Sequence, residues 1–341
     1  MKVAIVILNW NGAQYLKQFL PVLIKNTKIE GVEIFVADNG STDDSLSVLE
    51  KDFPTVNVIT LDQNYGYAEG YNKALFRVED AEYFLLLNSD VEVAKGWLHP
   101  LVEYMDKNED VAACQPKICS YQDKENFEYA GAAGGFIDSL GMPFCRGRVL
   151  RTIEKDEGQY DDIIDIFWAT GACFMIRAGK FWDTDGFDGS FFAHMEEIDL
   201  CWRLRSRGQR IVCIPQSKVY HVGGGTLSTE SPYKTYLNYR NNLLMLYKNL
   251  PENSLRKTMF IRYFFDYLAA LHLFLTGRIA NAFKIFVARR HYKKLRGKYD
   301  DKRRENIQHS AVLNIPEILP RSIVLQYYFK GKNTYNKLWR K

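Results

Sequence analysis

Short apolar runs alternate with amphipathic stretches through the first 115 residues. Residues 2–8, 32–37, 56–61 and 83–87 are apolar runs of strand length, nearly unbroken in the first and last. Between the first two, residues 13–26 place Tyr15, Leu16, Phe19, Leu20 and Leu23 on one face of a helix. Further helices are predicted at about 43–51, 69–78 and 96–107. A strand that is apolar on both faces must be covered on both, and a parallel sheet between layers of helices does this. The predicted class is therefore α/β, a mostly parallel, doubly wound sheet, in which ligands sit beyond the carboxyl ends of the strands.

The pattern loosens between about 117 and 162, where glycine becomes frequent (Gly131, Gly134, Gly135, Gly141, Gly147), and reads as an insertion or a flexible loop. Regular patterning resumes at 163–177, a strand pair around Thr170-Gly171-Ala172. A helix at about 196–207 and strands near 211–214 and 219–222 follow. From Tyr233 the chain turns helical, aromatic and basic. The predicted division is one domain at 1–232, with halves at about 1–115 and 116–232, and a C-terminal region at 233–341.

Composition adds one asymmetry. Residues 251–341 hold 20 Lys and Arg against six Asp and Glu, whereas the first 250 hold 25 against 35. An acidic body with a basic tail implies that the tail meets something anionic, phospholipid or nucleic acid. No nucleic-acid motif is present, and the alternative to lipid is packing on the body or on a second subunit. None of the six cysteines forms a C-x-x-C pair, so buried reduced thiols are expected and zinc is not. No secretory signal or membrane span is apparent, and a cytoplasmic location is expected, extending to the cytoplasmic face of the membrane.

Polar residues gather at the predicted strand ends. Asp38 opens Asp38-Asn39-Gly40-Ser41-Thr42-Asp43 after the second strand, where a carboxylate can bind a nucleobase or ribose, although a turn with a helix cap explains it as well. Asn64-Tyr65-Gly66-Tyr67-Ala68-Glu69-Gly70-Tyr71-Asn72 is a loop of small residues that a flat or phosphorylated ligand could approach. Asn88-Ser89-Asp90 ends the fourth strand, and an Asp there is costly unless it binds something such as a divalent cation. Glu196, Glu197 and Asp199 open a helix, where one carboxylate could deprotonate a hydroxyl. His221 ends a late strand before Gly223-Gly224-Gly225.

In this order, with Val6-Ile7-Leu8-Asn9-Trp10-Asn11-Gly12 and Thr170-Gly171-Ala172-Cys173-Phe174, these segments resemble family 2 glycosyltransferases of the GT-A fold, and most closely the rhamnosyltransferase-like branch. The resemblance spans about 3–245. It implies that Asn9, Asp38, Asn39, Asn64, Gly66, Asn72, Asn88 and Ser89 line the nucleotide. Asp90 and His221 would hold Mn2+ or Mg2+, and Glu197, beside Glu196, would be the base. The donor would be a nucleotide-diphosphate sugar (dTDP-rhamnose or a UDP-sugar) and the acceptor a lipid-linked or growing glycan, with inversion at the anomeric carbon. Two positions depart from the family pattern: Asn88 stands where an Asp is usual, and Glu197 where the base is usually Asp. A sugar nucleotidyltransferase and a non-catalytic protein of the same fold are the competing readings. The first would want a basic glycine-rich loop near the N-terminus, and residues 9–16 hold neither Lys nor Arg.

Overall fold

The computed structural model describes residues 1–223, 231–312 and 314–339. In chain order its first half runs β1 (Val3–Asn9), α1 (Ala13–Asn26), β2 (Val32–Asn39), α2 (Ser45–Asp52), β3 (Asn57–Leu61), α3 (Gly66–Leu75), β4 (Tyr83–Asn88), β5 (Val91–Val93), α4 (Leu98–Lys107) and β6 (Val111–Ser120). A run of short strands follows: β7 (Gly135–Asp138), β8 (Pro143–Cys145), β9 (Arg148–Val149), β10 (Thr152–Ile153) and β11 (Ile164–Asp165). Then come β12 (Cys173–Arg177), α5 (Ala178–Trp182), α6 (Glu196–Ser206) and β13 (Arg210–His221). The C-terminal region holds α7 (Pro232–Asn249), α8 (Glu252–Leu275), α9 (Ile279–Leu295), α10 (Asp300–Gln308), β14 (Ile318–Leu319), α11 (Ile323–Lys330) and α12 (Tyr335–Trp339).

The main sheet has the order β11-β13-β6-β12-β4-β1-β2-β3, with β5 paired to β13. Strands β3, β2, β1 and β4 are mutually parallel, and β12 enters antiparallel between β4 and β6. Burial on both faces explains the apolar runs: Val3 to Ile7 and Tyr83 to Leu87 are almost wholly enclosed. Asn9 pairs in register with Asp38, and Leu8 with Asn88. The carboxyl ends of three strands thus lie side by side where the strand order reverses, the crevice in which such sheets bind ligands.

Three expectations change. Residues 117–162 form no loose insertion: β10-β9-β8-β7-β14 make a second sheet, whose last strand comes from the C-terminal region and pairs Ile318 with Ile137. The two strands read at 163–177 do not pair with each other, since β11 pairs with β13 while β12 pairs with β4 and β6. The strands near 211–214 and 219–222 are one strand, β13, with a register shift between Ile214 and Lys218. All six cysteines are free and buried, as expected.

The C-terminal helices share the catalytic core, since Leu243, Leu244, Tyr292, Ile323 and Leu338 belong to the same buried cluster as Ala4 and Phe174. Polar contacts reinforce the join. Lys248 of α7 is 2.7 Å from Asp188 and 2.8 Å from Asp199, and all three are at most 2% exposed. Lys248→Met leaves two buried carboxylates without this cation and is expected to lower stability by about 3–5 kcal/mol in urea unfolding. Asp188 would then lose its contact with α7, while Phe191 keeps the hydrogen bonds that Arg240 and Asn241 donate to its carbonyl.

Candidate active site

The first cluster is built from the ends of β1 and β2. The Asp38 carboxylate accepts from the Ser41 backbone N–H (2.9 Å) and from Asn9 Nδ2 (3.3 Å). Both Asn9 and Asp38 are buried, yet Asn9 Oδ1 has no partner. An enclosed acceptor left unpaired at a crevice mouth is unusual enough to suggest a ligand donor. Gly12 is required beside it, because a Cβ there would run into Asn9 Oδ1 and approach Ser89 Oγ. Asp43 serves structure instead: it accepts from the N–H groups of Ala13 and Ser45, capping the starts of both α1 and α2.

The Asn64–Asn72 segment is mostly helix rather than loop. Asn39 Nδ2 donates to Asn64 Oδ1 and to the Gly66 carbonyl, while Asn39 Oδ1 accepts from the Tyr65 N–H. Gly66 takes a φ of +76°, and a Cβ there would collide with the Phe192 ring and carbonyl, so only glycine fits. The Phe192 carbonyl in turn accepts from the Tyr67 and Ala68 N–H groups. Asn72 exchanges two hydrogen bonds with the Phe187 backbone. These contacts fix the α3 start and the 187–192 loop.

The second cluster surrounds His221. Antiparallel pairing of β5 with β13 sets His221 opposite Val91, and so next to Asp90. His221 Nε2 lies 3.2 Å from Asp90 Oδ1 and 3.4 Å from Asn88 Nδ2. Its other ring nitrogen is 3.5 Å from Glu128 Oε1. Burial opposes the charged imidazole, but the two carboxylates outweigh it and push the His221 pKa up to about 10. Burial likewise works against the Asp90 carboxylate, and its contact with His221 holds its pKa below the ordinary value. The pocket is therefore arranged around a positive charge. Gly224–Thr226, which follow, lie outside the described residues.

Sequence reasoning missed Glu128, which sits in an irregular segment with no motif around it. Its Oε2 accepts from the Ala130 N–H, which aims Oε1 at the histidine. Carboxylates that hold the far nitrogen of a metal-binding histidine commonly affect metal affinity 10–100-fold. Glu128→Gln is expected to weaken Mn2+ binding by about that factor in calorimetry.

The acidic helix start divides by partner. Asp199 is fully buried and engaged by Lys248, Asn249 and Arg203, a structural role. Glu196 and Glu197 each keep an Oε2 atom that is buried without a partner. Burial, and then the neighbouring Glu197, raise the Glu196 pKa well above the carboxylate range. Burial raises Glu197 to about 7. Just before them, Phe192, His194 and Met195 all have positive φ. Asn241 of α7 holds this strained turn by donating to the carbonyls of Phe191, Ala193 and His194.

The glycosyl transferase family 2 model matches residues 4–185, more than half of the chain, and the protein belongs to that family. It is 25% identical over 234 residues to the N-acetylglucosaminyl-diphospho-decaprenol L-rhamnosyltransferase of Mycobacterium tuberculosis, covering 64% of this chain and 75% of that one. It is 26% identical over 228 residues to the rhamnosyltransferase WbbL of Escherichia coli, covering 64% and 83%. Among solved structures, residues 1–349 of Staphylococcus aureus TarS in complex with UDP-GlcNAc superpose with a TM-score of 0.57 at 16% identity, covering 91% of this chain and 89% of that one. GalNAc-T7 with UDP, GalNAc and Mn2+ superposes at 0.52 and 17% identity, covering 64% and 43%. The fold is that of these GT-A enzymes, and the match to TarS extends into the helical C-terminal region.

Proposed function

We propose that the protein is an inverting hexosyltransferase that moves a sugar, rhamnose in first place, from a nucleoside-diphosphate donor to a hydroxyl of a lipid-linked or growing glycan. The observation that carries it is the Glu196-Glu197 pair: two enclosed carboxylates with unspent oxygens at the start of α6, beside an Asp199 fully used in structure. Rhamnose and a diphospho-lipid acceptor are favoured by the names of the M. tuberculosis and E. coli relatives. The work would take place at the cytoplasmic face of a membrane, where such acceptors are met.

Asp90 and His221 suit a divalent cation as two protein donors: the enclosed carboxylates around the imidazole call for positive charge there, and the cation would take the place of the His221 Nε2 proton. Among the described residues no group of three or more His, Cys, Asp or Glu is arranged for a metal, so phosphate oxygens of the donor would complete the coordination. Bound there, Mn2+ or Mg2+ would neutralise the charge that develops on the departing diphosphate. Asn9 and Asp38 would orient the nucleoside. Glu197 would take the acceptor hydroxyl proton as the oxygen attacks the anomeric carbon from the face opposite the leaving group, which inverts that centre. Titration calorimetry of UDP, dTDP and GDP with Mn2+ and with chelator tests this. Metal-dependent binding of one of them, followed by a product of inverted configuration in NMR, is expected. Binding to none would favour a non-catalytic protein of the same fold, and retained configuration would exclude the single displacement.

A further inference from the structure

Helix α8 is amphipathic in the reverse sense. The stripe it buries against the protein includes Thr258, Arg262, Asp266 and Ala270, whereas Phe260, Phe264, Leu268, Leu271 and Leu275 face outward, each more than half exposed. The adjoining α9 extends that face with Phe283, 63% exposed. An ordinary surface helix does the opposite, and large contiguous apolar patches of this kind mark interaction sites.

Polar packing beneath the patch explains how α8 is held inside out. Arg262 donates to the Leu140 carbonyl (2.9 Å), contacts Asn242 of α7, and pairs with Asp266 at 3.0 Å. Arg289 of α9 pairs with the other oxygen of Asp266, and its guanidinium lies over the Tyr263 and Tyr267 rings. The helix hairpin is therefore tied to the body by buried charge, and its apolar side chains are left over for something else.

By length and composition α8 could cross a membrane, which the sequence reading did not find because Arg262 and Asp266 break the apolar run. Spanning would strip Arg262 and Asp266 of the body contacts just described, so the geometry favours lying flat. The charges around the patch name its partner. Across 253–299 the one acidic residue is Asp266, and it is buried, while Arg290, Lys293, Lys294, Arg296 and Lys298 are exposed toward the end of the hairpin. An aromatic and leucine face flanked by cations, with exposed carboxylates only at the two ends of the hairpin (Glu252 and Asp300), suits the headgroup boundary of an anionic bilayer.

We infer that the outward face of the α8–α9 hairpin docks in the plane of an anionic lipid surface. This inference stands apart from the transferase reading and survives if that reading fails. The full-length protein is mixed with vesicles of phosphatidylcholine, with and without phosphatidylglycerol, and sedimented at low and high salt. Co-sedimentation with the anionic vesicles, weakened by salt and released by alkaline carbonate, is expected. The variant Phe264→Ser/Leu268→Ser/Phe283→Ser should bind them at least about tenfold more weakly. Its thermal unfolding and nucleotide binding, which report on the fold and the active site separately, should match wild type. Wild-type protein that stays in the supernatant overturns the inference, as does equal binding by a folded triple variant. Retention after carbonate treatment would indicate a span instead. A wild-type dimer in light scattering that the triple variant turns into a monomer would assign the face to a second copy of the chain.

Discussion

Glu197→Gln is expected to lower kcat by about 10²–10⁴-fold while making the protein more stable at pH 8. The loss follows if Glu197 takes the acceptor proton, as proposed; the gain follows from its burial. Burial lifts the Glu197 pKa from the ordinary 4.5 to about 7. With the folded-state pKa above the unfolded one, folding favours the protonated form. Its contribution is fully present below pH 4.5 and is lost as pH rises through about 7. Above that pH the native protein holds an ionised carboxylate in poor solvation, which the neutral glutamine avoids. A thermal scan at pH 8 should therefore show the variant melting higher by a few degrees, with the difference fading toward pH 4.5. In the wild-type enzyme, kcat/KM should fall on the acid side with a midpoint near 7, since the base must be ionised in the free enzyme, and that limb should vanish from the residual activity of the variant. A variant that keeps its activity would move the base elsewhere, with Glu196 next to be tested. A variant that loses both activity and stability would make Glu197 structural.

Asp90→Ala should abolish metal-supported nucleotide binding, a loss greater than the roughly hundredfold ceiling for a residue one shell removed. The comparison with Glu128→Gln is informative. Both residues touch His221, but Asp90 would meet the cation directly, so its loss should be the larger in Mn2+ calorimetry. The apo protein offers a readout that needs no metal. The His221 pKa is held up to about 10 against its own burial by Asp90 and Glu128 together, so losing Asp90 should bring its NMR titration downward. Stability follows with a definite sign. Because the folded pKa is raised, the stabilisation is complete below the ordinary 6.5 and disappears as pH rises through about 10. Asp90→Ala should therefore be destabilised at pH 6 and approach wild type above pH 10. Unchanged Mn2+ binding in this variant would remove Asp90 from the metal site.

These predictions rest on positions that were legible to different degrees. The parallel strands, their covering helices and the polar residues at their carboxyl ends could be read from the chain. A strand buried on both faces has to be apolar throughout, and a covering helix has to be apolar on one stripe. Those are local patterns, and Val3–Asn9, Val32–Asn39 and Tyr83–Asn88 display them. The ordered motifs also sufficed for the family, and they singled out Asp90, His221, Glu196 and Glu197 as candidates. Short strands escaped: Arg148–Val149 and Thr152–Ile153 are two residues each, too few for an alternating period to register.

Partnership was decided by tertiary structure alone. Asn88 and His221 stand 133 residues apart and meet only because β13 crosses the sheet to pair with β5. Glu128 joins them from a segment whose local pattern says nothing of it. Among three carboxylates in four residues, Asp199 is taken by Lys248 and Asn249 of α7 while Glu196 and Glu197 keep unspent oxygens, a distinction made entirely by the neighbouring helix. The sense of α8 belongs to the same class. Its periodicity determines that one stripe is apolar and one polar, but which stripe faces inward depends on the buried partners that Arg262 and Asp266 find in Leu140, Asn242 and Arg289. Burial of apolar surface acts on each segment largely by itself, and so is written into its sequence; buried charge is favourable only through specific partners, and those are known only once the chain has folded.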